Sequence, residues 1–268
     1  MSDKQSGGQE FPYRELGAER LFRVHDVQPG RVGVVGHMSA GDWMLGPDGI
    51  RSPGSLGVLI DDTLGYAMVA SQPPGGWTTS TEITMEVFDA FRHSTSDLVA
   101  EARVADKSSH GYLASCTIKD AEGTQVAACH MRGRSMHFDR TAQPLPARAP
   151  EGVDLPGQLI LQDTVRDEQS AELRFEVVPA IQNPMFNLHG GVGFCAIAMS
   201  AGHLLQGLDP RFAATSIHAF YPRPVPGGSL ATVRSELRTR TRTLAMVDVE
   251  IKSEGKTRVV GRVVGEAL

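Results

Sequence analysis

Two short segments hold most of the groups that could do chemistry. The first, Leu59-Ile-Asp-Asp-Thr-Leu-Gly65, sets two adjacent carboxylates in an apolar run. The second, His189-Gly-Gly-Val-Gly-Phe-Cys-Ala-Ile-Ala-Met-Ser-Ala-Gly202, opens on a histidine and two glycines and follows Asn183-Pro184. If the second is a helix, its start offers unpaired backbone N–H groups and a partial positive charge. Glycine there lets a polarised oxygen approach without meeting a Cβ. A carboxylate such as Asp61 could serve such a site as general base or as nucleophile. Neighbouring helical residues point about 100° apart, so only one of Asp61 and Asp62 is expected to face it, and the spacing to Gly65 favours Asp61.

Other chemistries find less support. Cys116, Cys129 and Cys195 are an odd number without a Cys-x-x-Cys, which fits buried thiols in a reducing compartment, the cytoplasm, better than a disulfide framework or zinc site. His25, His37, His93, His110, His130 and His137 sit singly, without ligand spacing, so no metal site is expected. His203 and His218 read as structural. There is no phosphate loop and no dinucleotide fingerprint. Asn183-Pro184 reads equally well as a plain turn, and Ser52-Pro53 as an N-cap followed by proline at the first helical position.

Those segments belong to a repeat. Gly54 and Gly65 fall on Gly191 and Gly202 at one offset of 137 residues, and each segment runs apolar for several turns before a turn cluster, Gln72-Pro-Pro-Gly-Gly76 or Gly207-Leu-Asp-Pro210. Four strand-like runs follow each helix: 77–88, 97–106, 111–119 and 124–136, then 213–221, 229–238, 242–252 and 256–265. Alternation in Leu98-Val-Ala-Glu-Ala-Arg-Val104 and Met246-Val-Asp-Val-Glu-Ile251 is that of half-buried antiparallel strands. Leading strands are expected at Leu21–Val27 with Val32–His37, and at Leu173–Val178. A helix apolar on nearly all sides belongs inside such a sheet. The expected organisation is a disordered tail over 1–20, one domain over 21–139, a Pro-rich linker over 140–157 and a second domain over 158–268.

The chain has 268 residues, 41% of them hydrophobic and 21% charged, with a net charge of −5. That is enough for one large or two small domains, and an acidic balance argues against a nucleic-acid binder. No apolar run of about 18 residues free of charge is apparent, so no membrane span is expected. The first ten residues hold one lysine and no apolar stretch, unlike a signal peptide.

The pattern of helix and meander resembles the hotdog fold, an α+β architecture in which an antiparallel sheet wraps a long central helix, here as two tandem domains forming a pseudo-dimer. Its motifs resemble those of the PaaI-type acyl-CoA thioesterases. In that family an Asn precedes His-Gly-Gly at the helix start, with an acid nine positions past the His. Asn183 and His189-Gly190-Gly191 match the first part, Asp61 in the first half matches the acid, and Tyr221-Pro-Arg-Pro-Val-Pro-Gly227 matches a later feature. The acid position of the second half is Ala198, and the first-half counterparts of Asn183, His189 and Gly190 are Gly46, Ser52 and Pro53.

In the family each site joins the helix start of one subunit to the acid of its neighbour. The resemblance therefore implies one complete site, built from Asp61, Asn183, His189 and Gly190, and one dead site, because Pro53 has no N–H to donate. It implies the Gly190 N–H as oxyanion donor, Asp61 as base or nucleophile, Asn183 holding water or carbonyl, His189 orienting the loop, and Gly191 beside the substrate. Thr79 and Thr81, on the strand after the first helix, could also line the substrate and supply a hydroxyl to the acid or water. The implied substrate is an acyl- or aryl-CoA, with coenzyme A as part of the substrate, no cofactor and no metal. Arg51, Arg132, Arg134 and Arg223 are candidates for its phosphates. Partners other than a second copy, giving a homodimer of double hotdogs, are not expected. A catalytically silent acyl-CoA binding or sensing protein is the rival reading. A hotdog enoyl-CoA hydratase fits less well, because neither half shows its paired Asp and His.

Overall fold

A computed structural model describes residues 11–46, 51–138, 157, 159 and 161–267. The first half contains α1 (Gly17–Leu21), β1 (Val24–Pro29), β2 (Val34–Met38), α2 (Gly57–Ala70), β3 (Gly76–Val87), α3 (Ala90–His93), β4 (Leu98–Ser108), β5 (Gly111–Asp120) and β6 (Gln125–His137). The second contains β7 (Asp163–Arg166), β8 (Ser170–Glu176), α4 (Gly190–Leu208), β9 (Phe212–Phe220), β10 (Leu230–Arg240), β11 (Leu244–Ser253) and β12 (Lys256–Ala267). All twelve strands form one antiparallel sheet in the order β1-β2-β4-β5-β6-β3-β9-β12-β11-β10-β8-β7. The eight strands expected after the two helices are all present, within a few residues of their expected ends. The short leading strand β7 escaped the sequence reading because Thr164 and Val165 offer too little alternation.

The halves join where β3 pairs with β9. Thr84 lies opposite His218, Glu82 opposite Phe220 and Glu86 opposite Ser216, so Thr84 and His218 straddle a pseudo-two-fold axis. His218 Nε2 meets Glu82 Oε1 at 2.8 Å, and Ser216 Oγ donates to Glu86 Oε1 at 2.9 Å across that seam. The symmetry extends to irregularities: β3 bulges between Ser80 and Glu82 against β6, and β9 bulges between Ala214 and Ser216 against β12.

Each half-sheet wraps its helix. Ser52 caps the turn before α2 by accepting the Gly54 N–H at 3.3 Å, with Pro53 at the first position. Every residue of α4 from Gly191 to Ala201 is buried. Contrary to the sequence reading, Gly190–Leu208 is apolar and long enough to cross a membrane, but its sides are covered by the sheet, as for a core helix. The two helices meet at their N-termini, where glycine is required. A Cβ added at Gly57 would come within van der Waals overlap of the Gly191 carbonyl, and one at Gly191 would overlap Gly57 and Val58 backbone.

The expected tail needs correction. Residues 11–20 pack against the first domain: Tyr13 meets Tyr66 edge-on, Phe11 also reaches Tyr66, and Ala18 and Glu19 of α1 are buried. Two aromatics, a leucine and an alanine in ten residues bury enough apolar surface to order the segment. Residues 1–10 of the tail and 140–156 of the linker lie outside the described residues.

Candidate active site

A cavity of about 720 Å³ opens across the seam between the halves, and Asp61, His189, Gly190, Asn183, Thr79 and Thr81 all reach its wall. The centre is the meeting of α2 with the start of α4. Asp61 Oδ2 accepts the Gly191 N–H at 2.8 Å and lies 3.2 Å from His189 Nδ1. Its other oxygen, Oδ1, accepts the Ser80 hydroxyl at 2.6 Å. A Cβ on Gly190 would come 2.7 Å from Asp61 Oδ2, so the carboxylate is seated against a bare helix start. Tyr221 fixes that start from the other side: its hydroxyl donates to the Gly190 carbonyl at 3.0 Å. Burial, then Asp61, hold the Tyr221 phenol well above its ordinary range, so it remains a donor. The peptide between Gly190 and Gly191 is thereby gripped at both its oxygen and its N–H. The Gly190 N–H, one peptide earlier, has no hydrogen-bond partner among the described residues.

His189 is the N-cap of α4 and is buried between two carboxylates, with Nδ1 toward Asp61 and Nε2 3.3 Å from Asp62 Oδ1. Burial alone would push the imidazole down, but Asp62, Asp61 and Glu19 together raise it to about 10. It is therefore an imidazolium at neutral pH, donating from both nitrogens. The Gly191 N–H is also 3.1 Å from Nδ1, but a protonated Nδ1 cannot accept it, which leaves Asp61 as the acceptor of both.

Asp62 corrects the expectation that only one carboxylate faces the site. The imidazole lies between the two, so residues about 100° apart reach one ring through its two nitrogens. Glu19, from the segment expected to be disordered, lies behind Asp62: one ligating atom each of Glu19, Asp62 and His189 fall within 4.8 Å of one another. Such a trio could chelate a cation in principle. Both imidazole nitrogens already face carboxylates, Nδ1 toward Asp61 and Nε2 toward Asp62, and we read the group as a proton-sharing cluster.

Three other expectations are modified. Asn183 lines the cavity, but its Oδ1 accepts from Met185 N at 3.0 Å and Asn187 N at 3.2 Å, as a turn-forming side chain. Gly191 spends its N–H on Asp61 and packs on Gly57, so it contacts the acid rather than the cavity. Thr79 and Thr81 line the cavity, yet the hydroxyl that meets Asp61 is Ser80; Thr81 Oγ1 donates to the Arg132 carbonyl at 3.0 Å. The bulge at Thr81 explains the miss, since it puts Ser80 on the same inner face as Ile83 and Met85. The cysteines are buried and free, and burial raises the Cys195 thiol well above its ordinary range, as expected for inert thiols.

A second cavity, about 430 Å³, occupies the pseudo-symmetric position. There Ala198 replaces Asp61, Ala214 replaces Ser80, Ser52 replaces His189 and Pro53 replaces Gly190. A Cβ added at Gly54, the counterpart of Gly191, would come 3.0 Å from Ala198 Cβ, so the close approach of the helices is retained while the carboxylate, the imidazole and the Ser80 hydroxyl have no counterpart. The charges at the walls also differ. Arg134 and Arg223 line the first cavity, and the equivalent positions in the second are Glu266 and Asp89.

The sequence matches no protein-family profile and no curated protein. Its structure is similar to that of the tesB protein of Mycobacterium avium subsp. paratuberculosis, at a TM-score of 0.64 and 8% identity over 93% of this chain and 98% of that one. It is likewise similar to a putative oleoyl thioesterase from Lactobacillus plantarum, at 0.61 and 13% identity over 87% and 96%. A 12:0-ACP thioesterase from Umbellularia californica aligns at 0.59 and 11% identity over 86% and 92%. The chain is a double hotdog. Both halves of the double hotdog are covered in each comparison, so the tandem arrangement itself is shared, and the expectation of two hotdog domains forming a pseudo-dimer holds.

Proposed function

We propose that the double hotdog hydrolyses an acyl- or aryl-CoA thioester at one composite site per chain. The observation that carries this is the seating of the Asp61 carboxylate, from the N-terminal half, on the start of α4 from the C-terminal half, 2.8 Å from the Gly191 nitrogen and beside the Gly190 N–H. The thioester carbonyl takes the Gly190 N–H, and the positive end of α4 stabilises the charge that grows on its oxygen. With Asp61 as base, a water oxygen bonds to the acyl carbon, its proton passes to Asp61, and the carbonyl pair moves onto oxygen. Collapse breaks the C–S bond, and the proton returns from Asp61 to the departing sulfur. With Asp61 as nucleophile, its oxygen displaces the thiolate to form a mixed anhydride that water then opens. Either route needs only this chain, water and the thioester; no metal and no cofactor enters.

Ser80 and His189 hold Asp61 in place, each donating to one of its oxygens. Coenzyme A is favoured as the carrier by the wall charges. Arg134 and Arg223 suit its phosphates, whereas the cavity that has lost every reacting group carries Glu266 and Asp89 at those two positions, beside Arg51 and Arg92. The names of two structural neighbours, an oleoyl thioesterase and a 12:0-ACP thioesterase, support the reaction class.

Thiol release from a panel of acyl- and aryl-CoA thioesters tests the reading with the purified full chain. Turnover by the wild type and its loss in Asp61→Asn are expected. Binding of the thioesters without release would favour the silent binding protein. Single turnover in heavy-oxygen water tests the anhydride route: label in the Asp61 carboxyl would come from an anhydride opened at the Asp61 carbon, which the base route cannot give.

A further inference from the structure

We propose that Glu19 is a positioning residue of the active site: its protonated carboxyl donates to Asp62, and Asp62 in turn holds the His189 imidazolium against Asp61. This rests on the hydrolase reading for its kinetic consequences and on geometry for the rest. Glu19 is carried by α1, which packs against α2 and against the turn Pro179–Ile181. That turn accepts the His189 N–H through the Ile181 carbonyl at 3.0 Å. So α1 touches both the element bearing Asp62 and the loop bearing His189. One Glu19 oxygen is tied to the Leu16 N–H at 3.2 Å, and a Glu19 oxygen lies within 4.8 Å of an Asp62 oxygen.

Charge decides the protonation. Asp61, Asp62 and Glu19 surround one imidazolium; if all three were ionised, the buried cluster would carry two uncompensated negative charges, a costly arrangement. One further proton relieves it. Burial first, then Asp62, raise the Glu19 carboxyl to about 7, against the downward pull of His189. The other titratable groups nearby do not take that role. Tyr13 stays protonated because burial and the same carboxylates raise its phenol; His25 and Asp26 on β1 pair with each other at the surface; and the 179–181 turn has no titratable side chain. Ionisation of Glu19 places a like charge against Asp62 and adds negative potential beside the forming oxyanion. Activity should therefore fall as pH rises through about 7.

The test is a pair of variants in the full chain. Glu19→Gln keeps a neutral donor at every pH, so its kcat should match the wild type at pH about 6 and exceed it several-fold at pH about 8.5, without the wild type's descending limb. Glu19→Ala removes the donor and should lower kcat about ten-fold at pH about 6, with the gap to the wild type closing by pH about 8.5, while KM changes little. A Glu19→Gln profile superimposable on the wild type, or a folded Glu19→Ala variant with full kcat at pH about 6, would overturn the proposal. Carbon NMR titration of the Glu19 carboxyl gives a readout independent of turnover. A midpoint near 7 that drops in Asp62→Asn is expected, and a midpoint in the ordinary glutamate range would refute the proton assignment. If no thioester is turned over, the hydrolase reading fails while this titration still decides the Glu19–Asp62 contact.

Discussion

Asp61, in the N-terminal half, accepts the backbone N–H of Gly191, in the C-terminal half, at 2.8 Å. This contact joins the two helices at the one place where both reach the cavity. It also makes the acid depend on a peptide that Tyr221 holds from the other side. Neither half alone contains both members.

Removing the acid should therefore abolish hydrolysis without unfolding the chain. Asp61→Asn is expected to lower kcat by about 10²–10⁴-fold, with the circular dichroism spectrum preserved. Ala198→Asp should create no second activity, because Pro53 has no N–H and Ala214 no hydroxyl at that cavity. Single-turnover rates of Asp61→Asn and of Ala198→Asp in that background check both.

Ser80 is predicted to matter more than either neighbouring threonine. Its hydroxyl makes a charge-assisted bond to Asp61, a class contributing about 1.5–3 kcal/mol. Ser80→Ala should lower kcat about ten- to hundred-fold with KM nearly unchanged. Thr79→Ala and Thr81→Ala should stay within a few-fold of wild type in the same assay.

The glycines divide by what a methyl group would meet. Gly191→Ala forces a Cβ onto the backbone of Gly57 and Val58, and should cost about 1–3 kcal/mol in urea unfolding. Gly202→Ala meets nothing within 4 Å inside α4, and should gain about 0.5–1 kcal/mol through helix propensity. Equal effects of the two would show that the helix contact does not hold the halves together.

His189 should make stability fall at alkaline pH. Its folded value, raised to about 10 from an ordinary 6.5, means that the imidazolium's contribution is fully present below about 6.5. That contribution is lost as pH rises through about 10. Glu19, also raised, adds to the fall on the way to about 7. Urea midpoints measured from pH 6 to 10 should decline steeply for the wild type. They should decline less for His189→Asn, which has no group that titrates in that range.

Exchanging the wall charges tests the carrier. Arg134→Glu with Arg223→Asp, the residues of the second cavity, should raise KM for CoA thioesters at least ten-fold and leave thioesters of the bare pantetheine arm unchanged. Adding salt should raise the wild-type KM for CoA thioesters but not for the shortened ones.

Much of this molecule is legible along the chain because its signals are local. Alternation marks the strands of each meander, Ser52-Pro53 marks a helix entrance, and the offset between Gly54 and Gly191 exposes the repeat. The complementary losses, Ala198 against Asp61 and Pro53 against Gly190, even indicate which half must supply which group. The tertiary structure decided what depends on distance between strangers in sequence. A one-residue bulge at Thr81 turns Ser80 inward, and no local pattern announces a bulge. Asp62 joins the site because a buried imidazole from the other half sits between it and Asp61. Glu19 joins because α1 folds back over both, and a charge in a short polar segment reads as surface until its neighbours are known. Residue types and spacing determine elements, while burial and register determine which side chains meet, since those are properties of two packed surfaces rather than of either one.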